Sequence, residues 1–358
     1  VKRRSQWQRL AISMASLVVA WVPGPPAAAA ELLVLEKGSN TLAIIDPAQL
    51  QVRARVFVGT DPHEVIASSD GSRAYVSNYG GEGSDLNFLS VVDLQARKPL
   101  PPVDLGALHS AHGLDFQGGK LYFTAETNKV IGRYDPAVRR IDWVLGTGQD
   151  RTHMIIVAPD LEHIYTSNVS SGTISIMRLQ TQSFRPPSGA GGAKPPPGLG
   201  PRKVWSVTNV PAGRGCEGFD LSPDGTRIWA ANAQDGTITI IDVAAMKALE
   251  TFPVSVEGAN RLKFTADGRY VLVSGLGAFG AGSHPGSSNL VVLDATSHQL
   301  LKAFALGGGS AGILMEPGGS RAFVAVNQGD KVAVIDLHSL QVAGEIAASK
   351  PDGMAWVR

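Results

Sequence analysis

The chain has 358 residues, 44% apolar and 18% charged, which fits a globular protein with a sizeable core and argues against a disordered chain. A formal charge of +1 gives no basic surface for nucleic acid, so no nucleic-acid partner is expected. One cysteine, Cys216, excludes an internal disulfide, and 41 glycines with 22 prolines favour many turns.

At the N-terminus, Lys2, Arg3, Arg4 and Arg9 precede an apolar run from Leu10 to Val22, then Pro23-Gly24-Pro25-Pro26 and Ala27 to Ala30. That order describes a secretory signal peptide over 1–30, cut between Ala30 and Glu31; the apolar run is short for a membrane span. Without it, 28 Lys/Arg face 31 Asp/Glu, a charge near −3. A periplasmic or secreted monomer with no membrane span after cleavage is expected.

From Glu31 onward short alternating segments recur. In chain order they include TLAIID (41–46), RAYVSN (73–78), LSVVD (89–93), HIYTSN (163–168), RIWAAN (227–232), TITIID (237–242), LVVLD (290–294), RAFVAVN (321–327) and VAVID (332–336). Their Val, Ile and Tyr content and two-residue period predict half-buried strands, with Ser222-Pro223-Asp224-Gly225 and Ala266-Asp267-Gly268 as hairpin turns. Asp46, Asp93 and Asp135 close third strands 47 and 42 residues apart, the period of a four-stranded propeller blade. The first unit lacks its first strand, and PDGMAWVR (351–358) supplies it from the C-terminus. This predicts an all-β, seven-bladed β-propeller over 31–358 whose last strand completes blade 1; an open solenoid is the alternative.

AYVSN (74–78), LSPDGTRIWAAN (221–232) and GTITIID (236–242) resemble the YVTN-repeat β-propeller family. The resemblance runs from Glu31 to Arg358 and implies an exported bacterial propeller. It implies no particular activity, since relatives bind various ligands, including haem and metals.

Three departures interrupt the repeat. Residues 181–204 of blade 4 form a Pro/Gly-rich insert expected to be a disordered loop. Tyr79 to Asn87 in blade 2, and Gly275 to Asn289 in blade 6 (with Phe279 and His284), lengthen second-to-third connections that should stand over the mouth of the ring as lids.

Aligning the repeats gives the triplets His63-Glu64-Val65, His112-Gly113-Leu114, His153-Met154-Ile155, Glu217-Gly218-Phe219, Asn260-Arg261-Leu262, Ala311-Gly312-Ile313 and Asp352-Gly353-Met354. Circular closure would bring their first residues to one axis. His63, His112, His153 and Glu217 are candidate ligands of a divalent transition metal, Zn, Cu, Fe or Mn. Glu217, Asn260 and Asp352 are candidate catalytic residues, as proton carrier, hydrogen-bond donor and orienting carboxyl. Arg151, Arg214 and Arg261 are candidates for an anionic substrate group. The plainer alternative is a water-filled tunnel with hydrogen-bonded polar walls and surface arginines. Cys216 reads as an inert thiol, and His109, His163, His298 and His338 as loop or surface residues. The function expected is binding of a divalent transition metal, a small ligand or both at the channel mouth, with a metal-dependent hydrolase, lyase or oxidoreductase as one form it could take. The alternatives are a propeller that captures a small molecule or protein on its top face, or a channel-bound haem or redox carrier.

Overall fold

The computed structural model describes residues 30–80, 83–183, 200–277 and 288–357. Among them lie seven four-stranded antiparallel sheets arranged as blades around one axis. The strands nearest the axis are Pro351–Val357 for blade 1, Pro62–Ala67, Ala111–Gln117, Thr152–Val157, Cys216–Leu221, Ala259–Phe264 and Ile313–Met315. Blade 1 takes this strand from the C-terminal end, where Leu32 pairs with Trp356 and Val34 with Met354. Ring closure is as the repeat pattern predicted.

Apolar alternation explains why the blades pack into a ring. In Glu31–Glu36, Leu33 and Leu35 pack with Val65, Ala74 and Val76 of blade 2. The intervening Leu32 and Val34 pack against Phe323, Val332 and Val334 of blade 7. Both faces are therefore covered, and each fully buried leucine contributes roughly 1.5–3 kcal/mol to that closure. No described helix is long and apolar enough to cross a membrane.

The expected loop at 181–204 is shorter than the sequence suggested. Thr181 and Gln182 continue one strand and Arg202 to Val204 begin the next, with Gln182 opposite Arg202. Trp205 of this extended hairpin packs against Trp143 with ring centres 5.6 Å apart and planes tilted by 54°, which anchors its base to blade 3. Residues 184–199 of that insert, Phe279 and His284 lie outside the described residues.

Candidate functional site at the channel mouth

The ring residues sit on a repeated backbone irregularity. In blade 2 the pairing steps from Pro62↔Asn78 to Val65↔Val76, so His63 and Glu64 together face Ser77. The same bulge places His112-Gly113, His153-Met154 and Glu217-Gly218. A bulge turns side chains out of the sheet's alternation, here towards the axis. Second-strand hydroxyls hold it in place. Thr124 Oγ1 accepts from Gly113 N at 2.9 Å and donates to the His153 carbonyl at 2.7 Å, tying blade 3 to blade 4. Ser77 Oγ accepts from Glu64 N, and Ser167 Oγ bridges Met154 N to the Glu217 carbonyl. Glycine at the second triplet position lets inner strands meet: a Cβ on Gly113 would lie 2.4 Å from the His153 carbonyl oxygen.

Circular closure brings the three imidazoles together. His112 and His153 stack with ring centres 3.6 Å apart, and His63 meets His112 edge-on at 4.8 Å. His112 is fully buried, and neither of its ring nitrogens has a hydrogen-bond partner. His153 Nδ1 is hydrogen-bonded to Glu126, and its Nε2 lies 3.4 Å from Glu217 Oε1. His112, Glu126 and His153 offer donor atoms within 4.8 Å of one another. The trio gathered here thus contains Glu126, whereas the sequence pattern suggested His63 and Glu217. Glu217 instead stands between His153 and Arg261 Nη1, 3.6 Å away. Lys37 Nζ lies against the His63 ring, 2.6 Å from Nδ1 and 3.2 Å from Nε2.

Charged neighbours complete the cup. Lys37 Nζ lies 3.0 Å from Asp61 and 3.4 Å from Asp352. Arg261 of blade 6 reaches across the axis to Glu64 of blade 2, at 3.1 Å. Tyr79 stacks on His63, meets His112 edge-on, and donates to Glu126 Oε2 at 2.7 Å; Arg151 Nε lies 3.5 Å from that oxygen. Asn260 is buried with its side-chain oxygen unpartnered. Arg214 is elsewhere: it pairs with Asp235 on the surface, its side chain 78% exposed. Cys216 is a buried core thiol that burial pushes up to about 12, so it supplies no thiolate.

Burial first, and then neighbouring cations, hold the His63 and His112 pKa values well below the ordinary imidazole value. Burial opposes charge on His153 too, but Glu126 and Glu217 outweigh it and raise its pKa. Glu217 resists its own burial through His153 and Arg261 and falls to about 2, so it remains ionised and is a weak base. Burial lifts Asp352 to about 6, which makes it the better-matched proton carrier near neutral pH.

No protein-family model matches the chain, and no curated protein matches it in sequence. Solved structures share the fold. A protein of unknown function from Desulfotomaculum acetoxidans is 15% identical with a TM-score of 0.69, covering 92% of this chain and 99% of its own. A proposed 6-phosphogluconolactonase of Bacteroides fragilis is 15% identical with a TM-score of 0.67, over 94% and 100% of the two chains. The dihydro-heme d1 dehydrogenase NirN is 16% identical with a TM-score of 0.60, over 90% and 74%. At such identities the likeness establishes a seven-bladed propeller and nothing finer.

Lys37, Asp61, Tyr79 and Glu126 escaped the triplet alignment, and Glu64 stood in it with no role assigned. A second register would have found three of them. Pro351 pairs with Glu36, Pro62 with Asn78 and Ala111 with Ala125, so Lys37, Tyr79 and Glu126 are equivalent residues just past the second strands. Blades 4, 5 and 6 put Val169, Ala233 and Leu276 there and blade 7 puts Asn327, so the polar residues fall on the adjacent blades 7, 1, 2 and 3. Asp61 and Arg151 occupy another common point, two residues before the ring position, with φ of 52° in both. Ser110, Lys350, Gly215 and Gly258 hold the same left-handed backbone at that point in other blades, so it belongs to the repeat rather than to this site.

Proposed function

We propose that the protein is an exported propeller of the YVTN-repeat kind that binds a divalent transition metal in the mouth of its channel, through His112, Glu126 and His153. The observation carrying this reading is the fully buried His112 with two unpartnered nitrogens. Burying a polar group without a partner costs about 1–3 kcal/mol, and a metal bond removes that penalty.

Charge supports it. Three cations, Lys37, Arg151 and Arg261, meet five carboxyls, Asp61, Glu64, Glu126, Glu217 and Asp352. A divalent ion bound in place of the His153 proton balances that deficit of two. Two imidazoles on one tetrahedral ion, each nitrogen about 2.0–2.1 Å from it, place ring centres about 5 Å apart. The stacked His112 and His153 rings, 3.6 Å apart, must therefore open by about 1.5 Å. Nitrogen and carboxylate donors suit Zn, Cu, Fe or Mn. A metal held there would supply Lewis acidity, while Asp352 would carry protons and Asn260 and Arg151 would hold a small ligand.

Elemental analysis of protein purified without a histidine tag tests this reading. About one equivalent of metal is expected, falling at least tenfold in His112→Ala with the fold retained by circular dichroism. Metal-free protein whose melting temperature ignores added Zn(II), Cu(II), Fe(II) and Mn(II) would overturn it.

A further inference from the structure

The two ring nitrogens of His153 face different carboxylates. Nδ1 is hydrogen-bonded to Glu126 Oε1, and Nε2 lies 3.4 Å from Glu217 Oε1. Imidazole nitrogens point in diverging directions, so one ion on His153 is shared with one of these carboxylates and not with both. Two observations choose Glu126. His112 gathers with Glu126 and His153, and among the described residues no such group includes Glu217. On Glu126 the other neighbours, Tyr79 and Arg151, occupy Oε2 and leave Oε1 to His153. On Glu217 a single oxygen, Oε1, faces both His153 and Arg261 Nη1.

An imidazole that ligates through Nδ1 keeps its proton on Nε2. Metal-bound imidazoles donate that second N–H to a carboxylate, which fixes the tautomer and the ring's direction. Nε2 of His153 is buried without a hydrogen-bond partner, and a buried N–H needs an acceptor. Glu217 Oε1 is the carboxylate oxygen facing it, and closing 3.4 Å to an ordinary length takes about 0.4 Å. Glu217 is itself held from two sides. Ser167 Oγ donates to its carbonyl, and Arg261, which bridges to Glu64 of blade 2 at 3.1 Å, flanks its carboxylate.

We propose that Glu217 is a positioning residue of the metal site. It accepts a hydrogen bond from His153 Nε2 and thereby turns Nδ1 towards the ion, beside His112 and Glu126. Glu217 is then neither a ligand nor a proton carrier, although its place in the repeat is that of the histidines. This inference rests on the metal reading above.

The test loads Zn(II) into untagged protein carrying isotope-labelled histidine, and long-range proton–nitrogen spectra read the tautomer of His153. Competition with a chelator gives the affinities of wild type, Glu217→Gln and Glu217→Ala. His153 is expected to bind through Nδ1 with its proton on Nε2, and Glu217→Ala to bind roughly ten- to a hundredfold more weakly. Glu217→Gln keeps an acceptor oxygen without the charge and should fall between the two. A His153 bound through Nε2 would overturn the proposal while leaving the metal site standing, and so would an affinity unchanged in Glu217→Ala. The tautomer is read in wild type, so the proposal is decided even if Glu217→Ala does not fold. Wild type that takes up no Zn(II) would end both readings together.

Discussion

At the scale of single residues, the carboxyls of the inner strands divide into two kinds according to what surrounds them. Glu217 is kept ionised by His153 and Arg261, whereas Asp352 and Asp115 are lifted to about 6, in both cases chiefly by burial. Asp115 lies on the inner strand of blade 3, where its side chain accepts from Val157 N and Phe116 N at 2.7 Å each and so clips blade 3 to blade 4. Its effect on stability has a definite sign. The folded protein holds the Asp115 proton more tightly than the unfolded chain does, so stability falls as pH rises from about 4 to about 6 and is level above that. The ceiling on this contribution is about 2–3 kcal/mol, at 1.36 kcal/mol per pH unit. Asp115→Asn should remove it: relative to wild type, the variant gains stability between pH 4 and pH 7 in urea denaturation. A difference between the two proteins that stays constant across that range would contradict the assignment.

At the scale of elements, the bulged inner strand is what converts a repeat into a site. Gly113 is required by the close approach of blade 4, and Gly113→Ala should cost about 1–3 kcal/mol because the obstructing atom is a backbone oxygen. Gly146→Ala, where an added Cβ meets nothing, should be neutral or slightly stabilising. Chemical denaturation of the pair checks this, and equal effects would refute the crowding at Gly113. The strands, the hairpin turns and the first triplet position were legible because period-two alternation and tandem repetition leave the same mark in every blade. Glu126, Tyr79 and Lys37 were harder to see because their position is apolar in Val169, Ala233 and Leu276 and carries no repeat signature. Arg214 misled for a different reason: nearness in sequence to Glu217 says nothing about direction, and Asp235 draws the guanidinium outward. Glu64 and Arg261 show the converse, since 197 residues separate two side chains that meet across the axis.

At the scale of the whole molecule, the ring makes a polar site from residues that no single sheet could assemble. Blades 1 to 4 supply the imidazoles, Glu126 and the Lys37 cluster, while Arg261 of blade 6 answers Glu64 from the far wall. The stable outer packing, continuous from blade 7 into blade 1, allows the centre to hold unpartnered nitrogens at a net cost. The identity of the guest therefore decides whether these are signs of binding or of an unfilled tunnel wall. Crystals of protein soaked with Zn(II) or Cu(II), measured at the absorption edge of that metal, give the most direct answer. An anomalous peak about 2.0–2.2 Å from one nitrogen each of His112 and His153 and from a Glu126 oxygen is expected. A map without a peak there, or with the metal held only by surface residues such as His163 and Asp160, would contradict it.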